Sequence, residues 1–209
     1  MVRPREGDKR RRIIDAAVQV FSERGFFNAR VADVAEVAGV AGGTIYLYFK
    51  NKDDLLISVF EDRMDTILAV LTAELRKEPG APQRLRRFIE LHLGLVETDQ
   101  ALADVLAVEL RQSSKFVREY RAEKFYEYLN VAEDILSDGV SAGMFSSCID
   151  PKIFRRVLFG ALEEITVMWV TCERQGVEPP CALSDAVDDV YNLFLAGLVP
   201  RGERLTLQE

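Results

Sequence analysis

The sequence predicts an all-α protein: a small N-terminal head of three short helices and a larger helical body, about nine helices in all. Three observations predict it. Apolar residues recur every three to four positions in almost every segment, no stretch alternates with period two long enough to build a sheet, and glycine and proline signals cut the chain into helix-length pieces. With 48% hydrophobic and 29% charged residues, the 209-residue chain has enough material for a packed core but not for two large independent units.

The elements follow in order. The first eight residues are polar, contain Pro4 and Gly7, and read as an arm. From Lys9, the positions Ile13, Ile14, Ala17, Val18 and Phe21 keep helical spacing until Gly25 stops the segment. Asn28 stands where a cap for the second helix belongs; Val31, Val34, Ala35 and Ala38 make that helix apolar on one side, and Gly39 ends it. A third helix runs from near Gly42 to Tyr48 or Phe49. Asn51-Lys52-Asp53-Asp54 opens a long helix with Leu56, Phe60, Met64, Ile67 and Leu71 on one face, broken by Pro79-Gly80-Ala81-Pro82. Helical periods then cover 83–97, 100–112, 114–138, 151–174 and 183–198, and the polar tail after Pro200 reads as frayed.

Charge is unevenly placed. Residues 1–52 hold ten Lys/Arg against six Asp/Glu, whereas residues 53–209 hold seventeen against twenty-eight, so a head of +4 sits on a body of −11. That asymmetry suits a protein that meets nucleic acid at one end and is repelled from it elsewhere. No run of eighteen apolar residues and no apolar export signal is present, and Cys148, Cys172 and Cys181 lack metal-ligand or disulfide spacing; these point to a reduced, cytoplasmic setting. No GxSxG elbow, P-loop or dinucleotide glycine fingerprint occurs, which speaks against an enzyme.

A helix-turn-helix needs a small residue where its helices cross, a residue that tolerates positive φ in the turn, and a branched apolar residue locking the second helix. Ala35, Gly39 and Ile45 meet these needs at offsets of four and ten positions. Gly42-Gly43 would let a phosphate come close to backbone amides, and Lys50 and Lys52 add point charges. Many helical hairpins share part of this pattern, so the basic head and the bracing helix before it carry as much weight as the spacing.

Ile14-Asp15-Ala16-Ala17 through Phe21, Gly25-Phe26, Val34-Ala35-Glu36-Val37-Ala38-Gly39-Val40, and Gly43-Thr44-Ile45-Tyr46-Leu47-Tyr48-Phe49-Lys50-Asn51-Lys52-Asp53-Asp54-Leu55 together resemble the TetR family of bacterial regulators. The resemblance implies a helix-turn-helix domain over 1–52, an effector-binding and dimerisation domain over 53–200, and a flexible tail over 201–209. It implies that the third helix enters the major groove of a palindromic operator, with Gly43, Thr44, Tyr46 and Leu47 at the groove and Tyr48 and Lys52 toward the backbone; Gly42, which stands where the family has a longer side chain, Arg30 and Lys50 are expected at the DNA beside them. Arg10-Arg11-Arg12 would add phosphate or minor-groove contacts. Ala29, Arg30, Val31 and Ala32 depart from the polar residues usual there, which leaves more of the recognition to DNA shape.

In the body, Asp104-Val105-Leu106-Ala107-Val108-Glu109-Leu110-Arg111-Gln112-Ser113-Ser114 and Phe159-Gly160-Ala161-Leu162-Glu163-Glu164 are similar to the fatty-acid-degradation repressors within that family. The resemblance implies no cofactor and a long-chain acyl-CoA as the effector that releases DNA. Such a ligand needs an apolar tunnel with a basic mouth. Leu91, Leu95, Leu106, Tyr126, Leu129, Phe159, Leu162 and Trp169 are the expected tunnel; Arg84, Arg86, Arg87, Arg111, Lys115, Arg118 and Arg121 are the expected basic groups, Arg111 foremost. The bland reading makes these arginines a salt-bridged helix face, and His92 a packed, hydrogen-bonded side chain. The resemblance also implies a homodimer through the last two helices, with Phe154, Leu158, Ile165, Val187, Val190, Tyr191, Phe194 and Leu198 at the interface. The alternatives are the same head with another lipophilic or drug-like effector, and an enzyme acting on acyl thioesters.

Overall fold

The structure, a computed structural model, describes residues 6–120 and 123–200. Over the described residues it is all-α: α1 Glu6–Arg24, α2 Val31–Ala38, α3 Gly42–Ile45, α4 Lys52–Leu75, α5 Ala81–Leu93, α6 Leu95–Thr98, α7 Gln100–Ala107, a 3-10 turn Glu109–Gln112, α8 Ser114–Arg118, α9 Glu123–Ser141, α10 Pro151–Gln175 and α11 Leu183–Leu198. Glu6, Gly7 and Asp8 of the expected 1–8 arm belong to α1; residues 1–5, Arg121, Ala122 and the expected 201–209 tail lie outside the described residues.

Among the described residues eleven α-helices stand where nine were expected, because the expected 83–97 segment breaks at Gly94 into α5 and α6 and the expected 114–138 segment holds both α8 and α9. Asp99 accepts the amide of Leu102 and starts α7 anew, dividing it from α6. Ser113 accepts the amide of Phe116 and starts α8 after the 3-10 turn. A side-chain oxygen that satisfies one orphan amide is worth about 1 kcal/mol, enough to decide where a short helix restarts.

In the head, α1 lays Ile13, Ile14, Ala17 and Phe21 against Val34, Ala35, Ile45 and Phe49, all buried. Asn28 does not cap α2, since its amide donates to the carbonyl of Arg24. Asp33 in the first turn does the work instead: its carboxylate accepts the Arg30 amide at 2.9 Å and pairs with Arg24 at 2.9 Å. The Arg30 amide holds the Asp33 carboxyl below its ordinary range, helped by the Arg24 and Arg30 charges against the effect of burial. Gly39, at φ 63°, closes α2 in the left-handed region, where its amide bonds back to Ala35 and Glu36.

α4 is shared by head and body. Asn51 caps it by accepting the Asp54 amide, α1 packs on it from the head side, and α5, α8 and α9 pack on it from the body side. α10 runs through the body against α9, α7 and α5, while α11 covers α5. Gly139 in α9 has no side chain because the Phe145 ring rests where a Cβ would stand, closing the end of the bundle.

Candidate functional site

Two regions carry function-bearing side chains. The first is the outer face of α3 and the turn after it. Ile45 and Phe49 are buried and anchor the segment, whereas Tyr46 is 59% and Leu47 81% exposed, with Thr44 and Tyr48 half-buried beside them. A Cβ built on Gly42 or Gly43 would meet nothing, so the backbone there lies open to close approach. Beyond Ile45 the chain continues in turns, with the amides of Tyr48 and Phe49 bonded to the Ile45 carbonyl, so the predicted longer helix is present only as its first turn plus this tightened extension. Lys50 is exposed, and Arg30 holds most of its guanidinium in solvent beside Asp33. Phe27 in the α1–α2 turn and Val37 in α2 are also exposed; as single apolar residues they gave no periodic signal.

Lys52 is a correction. Expected at a phosphate, its ammonium instead donates to the carbonyls of Phe26 at 2.7 Å, Phe27 at 3.1 Å and Ala29 at 3.0 Å, and sits 4.6 Å from the Phe26 ring centroid. An ammonium has three donors, and here all three tie α4 to the α1–α2 turn. Arg12 is likewise engaged, donating to the Ala38 carbonyl at the end of α2, and Arg10 lies 3.6 Å from Asp62 and over the Phe49 ring. Of that triplet, Arg11 alone makes neither an ion pair nor a side-chain hydrogen bond among the described residues, and it is exposed.

The second region is a cavity of about 250 Å³ inside the body. Phe60, Met64 and Ile67 of α4, Leu91 and His92 of α5, Leu95, Leu106, Leu110, Phe116, Phe125, Tyr128, Phe159 and Thr166 line it, with Arg111 and Glu163 at one side. Of the expected residues, the structure therefore brings Leu91, Leu95, Leu106, Phe159 and Arg111 together. Leu129, Leu162 and Trp169 are buried but lie behind the wall, Tyr126 is half exposed, and Lys115 is not part of the lining. The side chain of Arg118 lies outside the described residues. The expected basic mouth is also revised. Arg84 pairs with Asp138, Arg86 with Asp188 and Glu90, and Arg87 with Glu74 and Glu90, away from the cavity. Those arginines hold helices together, as the bland reading had it.

Two polar pairs and Thr166 interrupt the apolar wall. Arg111 donates to Glu163 at 2.7 Å; burial pushes the Glu163 carboxyl up while the Arg111 charge opposes the shift. His92 Nδ1 lies 2.5 Å from the Tyr128 hydroxyl, and burial lowers its pKa to about 4, so the ring is neutral at neutral pH. The long helix α4 contributed cavity residues that sequence reasoning had treated as plain core, since periodicity alone does not distinguish a residue facing a void from one facing a neighbour.

The 3-10 turn joins the two regions. Leu110 and Arg111 face the cavity. Their neighbour Glu109 is fully buried and accepts the amide of Phe26, in the head, at 2.6 Å; it also accepts from Gln112 at 2.9 Å and from Arg174 of α10 at 2.7 Å. Arg174 also pairs with the buried Asp104, whose carboxyl is pushed up by burial against the pull of that arginine. Ser113, just after the turn, donates to Asp53 at the start of α4 at 2.6 Å. One hydrogen bond thus ties this turn to the head at Phe26, and another ties the residue after it to the start of α4.

The expected interface residues are another correction. Phe154, Leu158, Val187, Val190 and Leu198 are buried within the chain itself, and Ile165, Tyr191 and Phe194 are half-buried there. Phe154 packs edge-on against Phe194 at 5.9 Å between ring centroids. The solvent side of the same two helices carries Ile153, Val157, Gly160, Leu193 and Ala196, with Ile153, Val157 and Leu193 all more than half exposed. The more apolar stripe of each helix serves the internal core, which leaves Phe154, Leu158, Val187, Val190 and Leu198 no surface to offer a second copy.

Comparison with known proteins places this geometry. Residues 13–59 match the family of bacterial regulatory proteins of the tetR type, and residues 60–197 match the YsiA-like C-terminal region. The chain is 39% identical over 158 residues, 76% of its length and 81% of the other's, to the fatty acid metabolism regulator protein of Bacillus subtilis. Among solved structures, the fatty acid degradation regulator FadR of Bacillus halodurans superposes with a TM-score of 0.83 at 35% identity, covering 93% of this chain and 98% of that one. FadR of Bacillus subtilis, solved in complex with stearoyl-CoA, superposes with a TM-score of 0.81 at 35% identity, covering 90% and 98%.

Proposed function

The chain belongs to the TetR family of bacterial regulatory proteins, and from that premise we propose that it represses fatty-acid degradation genes as a homodimer on a palindromic operator and leaves the DNA when a long-chain acyl-CoA fills its cavity. The observation that carries the reading is the shared 3-10 turn: its Leu110 and Arg111 form cavity wall while its Glu109 holds the head. A ligand shifts a two-state equilibrium only by its affinity difference between the states, and a wall segment bonded to the head supplies such a difference.

On DNA, the exposed Gly43, Tyr46 and Leu47 approach base edges, while Arg30, Tyr48 and Lys50 face phosphates. Two heads must stand about 34 Å apart to enter successive major grooves. The exposed stripe Ile153, Val157 and Leu193 of α10 and α11 is the surface on which the second copy packs. Among the described residues no helix is long and apolar enough to cross a membrane, and a DNA-bound regulator works in the cytoplasm. It performs no catalysis in this reading.

Operator binding by the purified protein, titrated with stearoyl-CoA and with free CoA, tests the reading. Stearoyl-CoA is expected to release the operator and free CoA to leave it bound. Unchanged operator affinity at saturating stearoyl-CoA would remove the ligand from the proposal and leave the DNA reading standing. One observation favours a second effector class: Glu163, a buried carboxylate in an apolar wall, suits a lipophilic cation. Release by rhodamine 6G, with none by stearoyl-CoA, would select it.

A further inference from the structure

A second cavity of about 380 Å³ lies between α4 and the α5–α7 corner and shares Ile67, Leu91, His92, Leu95 and Tyr128 as walls with the first. Among the described residues its charged side chains are Arg63 and Asp99; the Asp99 carboxylate is exposed, so water screens it, and it accepts the Leu102 amide. The Arg63 guanidinium is 19% exposed and pairs with Asp15 of α1, while its Nε is buried with no hydrogen-bond partner. One cation thus lines a cavity, keeps a buried donor unpaired and holds the head with another.

We propose that this second cavity takes the anionic, phosphate-bearing end of the effector, and that the anion draws Arg63 away from Asp15. The inference rests on the acyl-CoA reading above and names where its charged part sits. The alternative cation is Arg111, and the electrostatics decide between them. Removing Arg111 from Glu163 strands a carboxylate whose side chain is 14% exposed, and a polyanion beside it meets a like charge. Removing Arg63 from Asp15 releases a carboxylate that is 51% exposed, which water solvates at little cost. An anion on Arg63 also meets the unpartnered Nε, so it satisfies a buried donor rather than competing for every one. The apolar chain then crosses the shared wall into the first cavity, and loss of the Arg63–Asp15 pair loosens α1 from α4.

The test is isothermal titration of the full chain with stearoyl-CoA and with uncharged dodecanol, for wild type, Asp15→Asn and Arg63→Gln, beside operator binding for each. Asp15→Asn removes the competitor and is expected to tighten stearoyl-CoA binding about two- to fivefold, the range of an exposed ion pair. By linkage, the drop in operator affinity caused by stearoyl-CoA shrinks by the same factor. Arg63→Gln is expected to weaken stearoyl-CoA binding about tenfold, as loss of a charged hydrogen bond does, with dodecanol binding unchanged in both variants. If wild type binds stearoyl-CoA and both variants bind it within twofold of wild type, the second cavity is not the anion site. If wild type does not bind stearoyl-CoA, the ligand reading itself falls, which is a separate result.

Discussion

Replacing Glu109 with alanine cuts the link between cavity and head at its most buried point. The carboxylate is fully buried and accepts three hydrogen bonds, from the Phe26 amide, the Gln112 side chain and the Arg174 guanidinium. Removing one member of a buried, hydrogen-bonded charge pair costs about 3–5 kcal/mol. Here the lower end applies, because Asp104 still neutralises Arg174 after the change. For a chain of this size about 3 kcal/mol lowers Tm by roughly 6–12 °C. Thermal unfolding by circular dichroism, at one protein concentration because the proposed dimer would contribute to apparent stability, measures it. Glu109→Gln keeps the shape and an acceptor for the Phe26 amide, so it is expected to lose less than half as much. A Glu109→Ala protein that melts within about 2 °C of wild type would show that this carboxylate does not hold the head, since any surface site would do as little.

The other predictions are separable from it. Lys52→Met is expected to cost about 1–3 kcal/mol in a urea melt by leaving backbone carbonyls unpaired, with the salt dependence of operator binding unchanged; Lys50→Ala is expected to leave stability alone and lower the slope of log K against log salt by about one. His92 has its pKa depressed from 6.5 to about 4 by burial, so the unfolded chain binds a proton that the folded one does not as pH falls from 6.5 to about 4. Its contribution to stability is therefore lost at roughly 1.4 kcal/mol per pH unit across that window, and His92→Gln is expected to flatten that part of the stability–pH curve. Val157→Asp together with Leu193→Lys is expected to give a folded monomer by sedimentation and to abolish operator binding; a persistent dimer would place the interface elsewhere.

Much of the head was legible from the chain alone. Gly25, Gly39, Ile45 and the Asn51 cap each solve a local problem of backbone geometry, and a local problem leaves its mark at fixed offsets in the sequence. The same holds for the all-helical class and for the breaks at Pro79–Pro82 and Asp150–Pro151, which depend on residues within one turn of each other. The role of Asp33, which accepts the Arg30 amide from the first turn of α2, was readable in principle and was obscured by the more familiar Asn28.

Tertiary structure decided what each charged or apolar side chain faces. Lys52 and Arg86 look, in the sequence, like cations available to an anion; in space one is surrounded by carbonyls 23–26 residues away and the other by carboxylates on its own helix and on α11. Which stripe of α10 and α11 turned inward depended on what α5 and α9 presented to it, and Glu109 met the Phe26 amide across 83 residues of chain. Period, caps and turns are set by near neighbours, so composition and spacing determine them. The partner of a buried charge and the side of a helix left to solvent are set by close packing against distant segments, and only the assembled fold determines those.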